Sequence, residues 1–195
     1  MAINKHQAAD ASIQAKLKLQ RSPKWPEVER AFRTKNPNCL ACTENQQLNV
    51  HHMYPFHYVV LCGRPDLELD PRNLITLCTR EDEEHHLLLG HLDDFESYNP
   101  QVETFIQTYK DRPASQIKGD AAWQTARGGK PKHVELMSPE DKEQFKAMLD
   151  GKFPADPAIV KEAEEARQSL SKTSAPPEVP GSSAVAGPLA AKSSA

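Results

Sequence analysis

Six of the eight histidines and all four cysteines fall between positions 39 and 91, a window of 53 residues in a chain of 195. Thiolates and imidazoles are the side chains that grip transition metals, so metal chemistry constrains how this stretch can fold before any hydrophobic pattern does. Cys39-Leu40-Ala41-Cys42 sets two thiols at the spacing a tetrahedral zinc prefers, just after the turn-forming Pro37-Asn38. Cys78 closes a β-branched segment and His85 follows seven residues later, so Cys39, Cys42, Cys78 and His85 can complete a structural Cys3His zinc site. Cys62 competes for the fourth position, although in Tyr58-Val59-Val60-Leu61-Cys62 it reads first as a small buried hydrophobe.

The histidines come in two groups. Val50-His51-His52 lies in a strand-like segment, where successive side chains point to opposite faces, so one His can ligate a metal while its neighbour faces a substrate. In His85-His86-Leu87-Leu88-Leu89-Gly90-His91 the spacing of His86 and His91 is i, i+5, which faces less well on an α-helix than i, i+4. His86 is the stronger candidate there, and His91 depends on the helix geometry near Gly90.

The pattern around this window predicts an α+β domain. Residues 5–20 suit a helix with a thin apolar stripe (Ile13, Leu17, Leu19), expected to fray or to depend on a partner. Trp25, Val28 and Phe32 mark a short helix ended by Asn36-Pro37. Strands are expected over 47–52 and 74–77, with a loop between them punctuated by Pro55, Pro65 and Pro71. A helix capped by Thr79 is expected through Glu81 to Leu92, another after Asn99-Pro100, and a third after the capping signature Ser138-Pro139-Glu140-Asp141, ending at Gly151. Residues 157–170 can form a last helix. Residues 111–137 show little periodicity and are expected as an extended basic arm, and in 171–195 eighteen of 25 residues are Ala, Ser, Pro or Gly, the composition of a disordered tail. The divisions are therefore 1–22, a basic extension of helical composition; 23–110, the core domain; 111–170, basic arm and short helices; and 171–195, the tail.

Charge is segregated. Net charge is −3, yet residues 5–35 hold eight Lys/Arg against three acidic residues, residues 110–133 six against two, and residues 44–103 three against twelve. Two basic flanks around an acidic, metal-rich centre suit a core that meets nucleic acid at its edges. No apolar run approaches the roughly 18–20 residues of a membrane span, and the polar N-terminus does not read as a secretory signal, so an intracellular, cytoplasmic protein without membrane contact is expected.

The segments "NPNCLAC", "NVHHMYPFH", "LDPRNLITLC" and "HHLLLGHLDDFESYNP" together resemble the zinc-containing subgroup of the HNH endonucleases. The resemblance covers about 75 residues, from Trp25 to Pro100. It implies a small ββα-metal (His-Me) finger with a zinc knuckle, flanked by helices. By position, His51 resembles the family's first metal ligand, His52 its general base, Asn73 its middle Asn and His86 its helix ligand, with His91 a further candidate. The sequence departs from the family where a second Cys-x-x-Cys is usual, since His85 here follows a longer insert after Cys78. The resemblance implies an enzyme that hydrolyses DNA phosphodiester bonds with a His-activated water and one divalent metal (Mg2+, Mn2+ or Zn2+) beside a structural zinc. Double-stranded DNA is the expected partner, with Arg30, Arg33 and Arg72 as candidate backbone contacts. The competing class is a non-catalytic zinc module that binds nucleic acid or protein, which explains the cysteines but has no use for adjacent His51 and His52 together with His86.

Overall fold

A computed structural model describes residues 5–173, a mixed fold of helices around one small two-stranded sheet. The sheet is built from β1 (Leu48–His52) and β2 (Leu74–Cys78), paired antiparallel with His51 opposite Ile75 and His52 opposite Leu74. Strand alternation then separates the adjacent histidines. Val50 packs with Leu74 against Trp25, Val28 and Phe32, and the His52 ring stacks on Trp25 at 4.4 Å, whereas His51 meets the rings of His86 and His91.

Two helices precede the sheet, α1 (Lys5–Leu17) and α2 (Trp25–Lys35). Helix α2 is as the Trp25/Val28/Phe32 spacing predicts. Helix α1 is not left to fray: His6 and Ile13 are buried, and Lys5 and Lys16 reach Glu84, Glu96 and Glu135. Its apolar stripe is thin because an imidazole and ion pairs supply part of the docking.

The segment between the strands is not a loop. Pro55 introduces α3 (Phe56–Leu61), and Pro65 and Pro71 each open a 3-10 turn, Pro65–Glu68 and Pro71–Asn73. Proline is compatible with a first helical turn, where no intrahelical donor is lost. Burial of Phe56, Tyr58, Val59 and Leu67 stabilises pieces too short to persist alone.

The expected helix from Glu81 to Leu92 is likewise replaced. The Thr79 hydroxyl donates to the Gln47 carbonyl rather than capping, Glu84 takes a left-handed φ of 47°, and a π-helical turn covers only His86–Gly90. A continuous α-helix from Thr79 would carry His85 about 10 Å away from Cys78, but here His85 Nδ1 lies 3.2 Å from Cys78 Sγ. The chain folds back on itself to make that contact.

Beyond the site, α4 (Val102–Thr108) follows Asn99 as expected. Residues 111–137 are packed rather than extended: α5 (Ala114–Gly119), α6 (Ala121–Gly128) and a 3-10 turn at Val134–Leu136 bury Ile117, Trp123 and Val134. Elements of six and eight residues are too short to show a 3.6-residue period. Asp120 caps α6 through the amides of Ala122 and Trp123, and Trp123 Nε1 donates to the Leu88 carbonyl at 3.0 Å, bracing the π-helical turn. Helix α7 (Pro139–Lys152) carries the expected capping box between Ser138 and Asp141 and runs one residue past Gly151. Helix α8 (Pro157–Thr173) returns to the Pro65–Glu68 turn, where Arg167 meets the buried Glu68. It reaches into the expected tail, whose remainder lies outside the described residues. No helix among the described residues is long and apolar enough to cross a membrane.

Trp123 ties the C-terminal helices to the turn that carries His86. Trp123→Ala should cost about 3–5 kcal/mol, the usual loss for a buried aromatic, read as a fall in the urea midpoint with the denaturant slope unchanged.

Candidate metal centres

Two groups of side chains gather around the sheet. In the first, one ligand atom from each of Cys39, Cys42, Cys78 and His85 lies within 4.8 Å of all the others. The Cys39–Cys42 turn closes when the Cys39 amide donates to Glu44 O (2.8 Å), and it is fastened to β2 where the Leu40 amide donates to Thr76 O (3.0 Å). Cys42 Sγ is then 3.8 Å from Cys78 Sγ, and His85 Nδ1 is 3.7 Å from Cys39 Sγ. His85 Nε2 lies 3.0 Å from the Arg112 carbonyl. Donating there leaves Nδ1 as the lone pair aimed at the thiols, the outer contact that orients a metal-binding imidazole. Cys62 sits apart, buried in the apolar core at the end of α3.

The electrostatics of this group favour a cation. The hydrogen bond from Cys78 brings the Cys39 thiol down to about 4 against the opposing effect of burial, whereas burial and the Glu83 carboxylate push Cys42 up to about 12, and the Cys39 contact and burial push Cys78 up. One thiolate so held makes a second too costly, and a divalent ion would remove that conflict. The donor set therefore fits a metal site compatible with zinc. Sequence reasoning missed Glu83, whose Oε2 lies 2.8 Å from Cys42 Sγ and 3.4 Å from Cys78 Sγ.

The second group is His51, His86 and His91, again with one ligand atom each inside 4.8 Å. The i, i+5 spacing meets because the turn is π-helical, with one more residue per closed ring than an α-helix; the His86 and His91 rings are 5.0 Å apart. Gly90 is required by close approach: a Cβ there would stand 2.6 Å from His51 Cε1 and 2.8 Å from Nε2. His91 Nδ1 is held by Ser97 O (2.8 Å), and His86 Nδ1 lies 3.0 Å from Nδ1 of His6 on α1. His6 was not among the predicted site residues, since a lone His on a weakly patterned helix carries no sequence signal. Burial holds His51 and His86 well below the usual imidazole range and brings His91 to about 4, so all three are neutral near pH 7. His51 Nε2 is buried without a hydrogen-bond partner among the described residues. A neutral imidazole triad with an orphaned nitrogen fits a divalent metal.

His52 occupies the same cleft, which measures about 420 Å3 and is also lined by Trp25, Arg21, His57 and Phe95. Its Nε2 is 2.9 Å from the Glu68 carbonyl, and burial with the nearby Arg21 charge lowers it to about 3. Asn73 is fully buried and holds the turn after His52: it accepts from the Tyr54 amide (2.9 Å) and donates to the carbonyls of Tyr54 and Leu67 (3.0 Å each). It positions; no free polar atom of it faces the cleft.

The three predicted arginine contacts separate. Arg30 lines an adjoining groove beside α2, and Arg33, paired with Glu29, lines both that groove and the cleft of His51 and His52. Arg72 is committed to Asp70 and the Pro154 carbonyl and does not line either cavity. A further cluster, Glu96, His133 and Glu135, is bridged by Lys16.

A scan against protein-family models finds no match, and searches of curated proteins and of solved structures find none.

Two measurements follow from the side-chain chemistry. Purified protein should carry tightly held metal, and Cys39→Ala or a strong chelator should lower its melting temperature sharply, because ligand binding is folding free energy in such sites; an unchanged melt in metal-free protein would refute the first centre. Acid should also destabilise the fold. His6, His57 and His91 are brought to about 4 in the folded chain from 6.5, mainly by burial. The unfolded chain therefore binds more protons below pH 6.5, so stability is full above that value and declines as pH falls toward 4. The urea midpoint should fall steadily from about pH 7 to pH 5; a flat profile would contradict neutral burial of these rings.

Proposed function

We propose that this chain is a metal-dependent endonuclease of the HNH type acting on double-stranded DNA. In this reading β1, β2 and the His85–Gly90 turn form a ββα-metal core, and Cys39, Cys42, Cys78 and His85 hold a structural zinc beside it. The observation that carries the reading is the division of His51 and His52: neighbours on one strand, the first joins the buried triad with His86 and His91 and the second faces the same cleft on a separate support. A purely structural zinc module needs the cysteines but not this second arrangement.

A divalent cation held by His51, His86 and His91 would neutralise charge on the phosphate and on the departing 3′ oxygen. The rest falls to side chains of this protein. His52, with Nε2 donating to the Glu68 carbonyl, presents Nδ1 as the acceptor for a proton of the attacking water. Trp25 fixes the ring from one side, and Asn73 fixes the turn that follows the strand. At about 3 this imidazole is a weak base. A phosphodiester anion bound nearby favours its protonated form and so raises it toward working pH.

Supercoiled plasmid incubated with the protein and Mg2+, Mn2+ or Zn2+ should be nicked and linearised, and EDTA should stop the reaction. His52→Ala should keep its metal content and DNA binding while the rate falls by about 10²–10⁴. His51→Ala should lose activity through weaker metal binding and recover in part at high metal concentration. Cleavage that persists in EDTA, or that neither substitution alters, would overturn the reading.

A further inference from the structure

Arg21 takes no part in the chemistry above, yet it is built into the same cleft. Its guanidinium carbon lies 4.1 Å from the ring centre of Phe56 and 5.0 Å from that of Trp25, the ring that also stacks on His52. Two apolar platforms thus hold a planar cation beside the candidate base. One edge of the fork is taken: Nε and Nη2 donate to the two oxygens of Asp10 at 3.1 and 2.9 Å. The other is not. Nη1 is buried without a hydrogen-bond partner among the described residues, with Glu68 Oε1 the paired carboxylate oxygen at 3.8 Å.

Asp10 belongs to α1, and that helix lies along the cleft. Its His6, Gln7, Asp10 and Ile13 line the cavity, His6 contacts His86, and Lys5 is paired with Glu84 at the start of the π-helical turn. A carboxylate presents two oxygens in the same fork geometry as a phosphate, and a guanidinium binds either through parallel N–H donors. An arginine with a spare buried donor, gripped by a partly exposed carboxylate on the N-terminal helix, is therefore equipped to exchange one anion for another.

We propose that Arg21 is the cleft's contact for a nucleic-acid backbone phosphate and that Asp10 stands in for that phosphate, so that α1 competes with the substrate for the site. The choice of phosphodiester as ligand rests on the nuclease reading; the competition itself does not require cleavage. The exchange leaves Arg21 paired in both states, moves the Asp10 carboxylate into solvent and opens the side of the cleft on which His6 meets His86.

The test is the affinity of the full, metal-loaded chain for a fluorescein-labelled DNA duplex, read by anisotropy without chelator or added divalent cation, with a gel confirming that the duplex is intact at the end of the titration. Asp10→Asn removes the competing charge and should tighten binding several-fold. Arg21→Ala should weaken it by about tenfold, the scale of one good arginine contact. The double variant should bind like Arg21→Ala alone, because Asp10 acts only through Arg21. Equal affinity of Asp10→Asn and the unaltered chain, or a gain of the same size in the Arg21→Ala background, would overturn the proposal. Circular dichroism shows whether each variant is folded, and if Arg21→Ala is not, Arg21→Lys serves in both comparisons, with the gain from Asp10→Asn expected to shrink. Plasmid cleavage measured in parallel separates the two readings. Coupling without metal-dependent cleavage removes the nuclease and keeps the competition, and cleavage without coupling does the reverse.

Discussion

The fold-back between Cys78 and His91 is the constraint on which both side-chain clusters depend. His85 and His86 are adjacent, yet His85 Nδ1 faces the thiols of Cys39 and Cys78 while His86 faces His51 and His91. A single peptide unit therefore links the two groups, and neither can shift without moving the other. Three supports fix it from outside: the Arg112 carbonyl on His85, the Trp123 indole on the Leu88 carbonyl, and Asn99, whose side chain donates to the Leu89 carbonyl at 2.8 Å. The turn's π geometry follows from these demands, since it must return His91 to the face of His86 while leaving the Gly90 backbone bare against the His51 ring.

Glu68 plays a comparable part on the other side of the sheet. Its carboxylate is buried, accepts from the Ser22 amide at 2.9 Å and meets Arg167 of α8 and Arg21, while its carbonyl holds His52. Burial raises its carboxyl, and the two guanidiniums oppose that rise. A buried carboxylate with one cation removed is costly, so α8, distant in sequence, stabilises the turn that orients the candidate base. The same logic explains why so many imidazoles stay neutral in this core: desolvation is the leading cause for His6, His51, His52, His57, His86 and His91 alike.

What the sequence made legible was local and chemically marked. The Cys39/Cys42/Cys78/His85 set, the two strands, α2 and the capping box of α7 each have a signal carried by residues close to one another or by a distinctive residue type. What it hid was decided by distant partners. Helix α3 lies in a segment whose prolines read as loop, and burial of Tyr58 and Val59 outweighs that signal. Helices α5 and α6 are too short for periodicity, and His6, Arg21 and Glu68 acquire roles only when α1 and α8 dock. The i, i+5 spacing of His86 and His91 reads as a mismatch on an α-helix, and it is the π-helical turn that brings the pair together.

Those distant partners also set the electrostatic balance of the cleft. His52 feels the Arg21 charge, Arg21 is shared between Asp10 and Glu68, and Asp10 is carried by a helix whose first turn also holds His6 against His86. An anion approaching Arg21 therefore meets a guanidinium whose charge is already matched, and it gains the full fork only by replacing one of the two carboxylates. Of the two carboxylates, Glu68 is fully buried and braced by Ser22 and Arg167, whereas Asp10 is about a third exposed and held by Gln14 besides Arg21. The exposed partner can be rehydrated when it leaves, at little cost, while the buried one cannot. Displacement must fall on Asp10, and the N-terminal helix is thereby coupled to whatever anion the cleft admits.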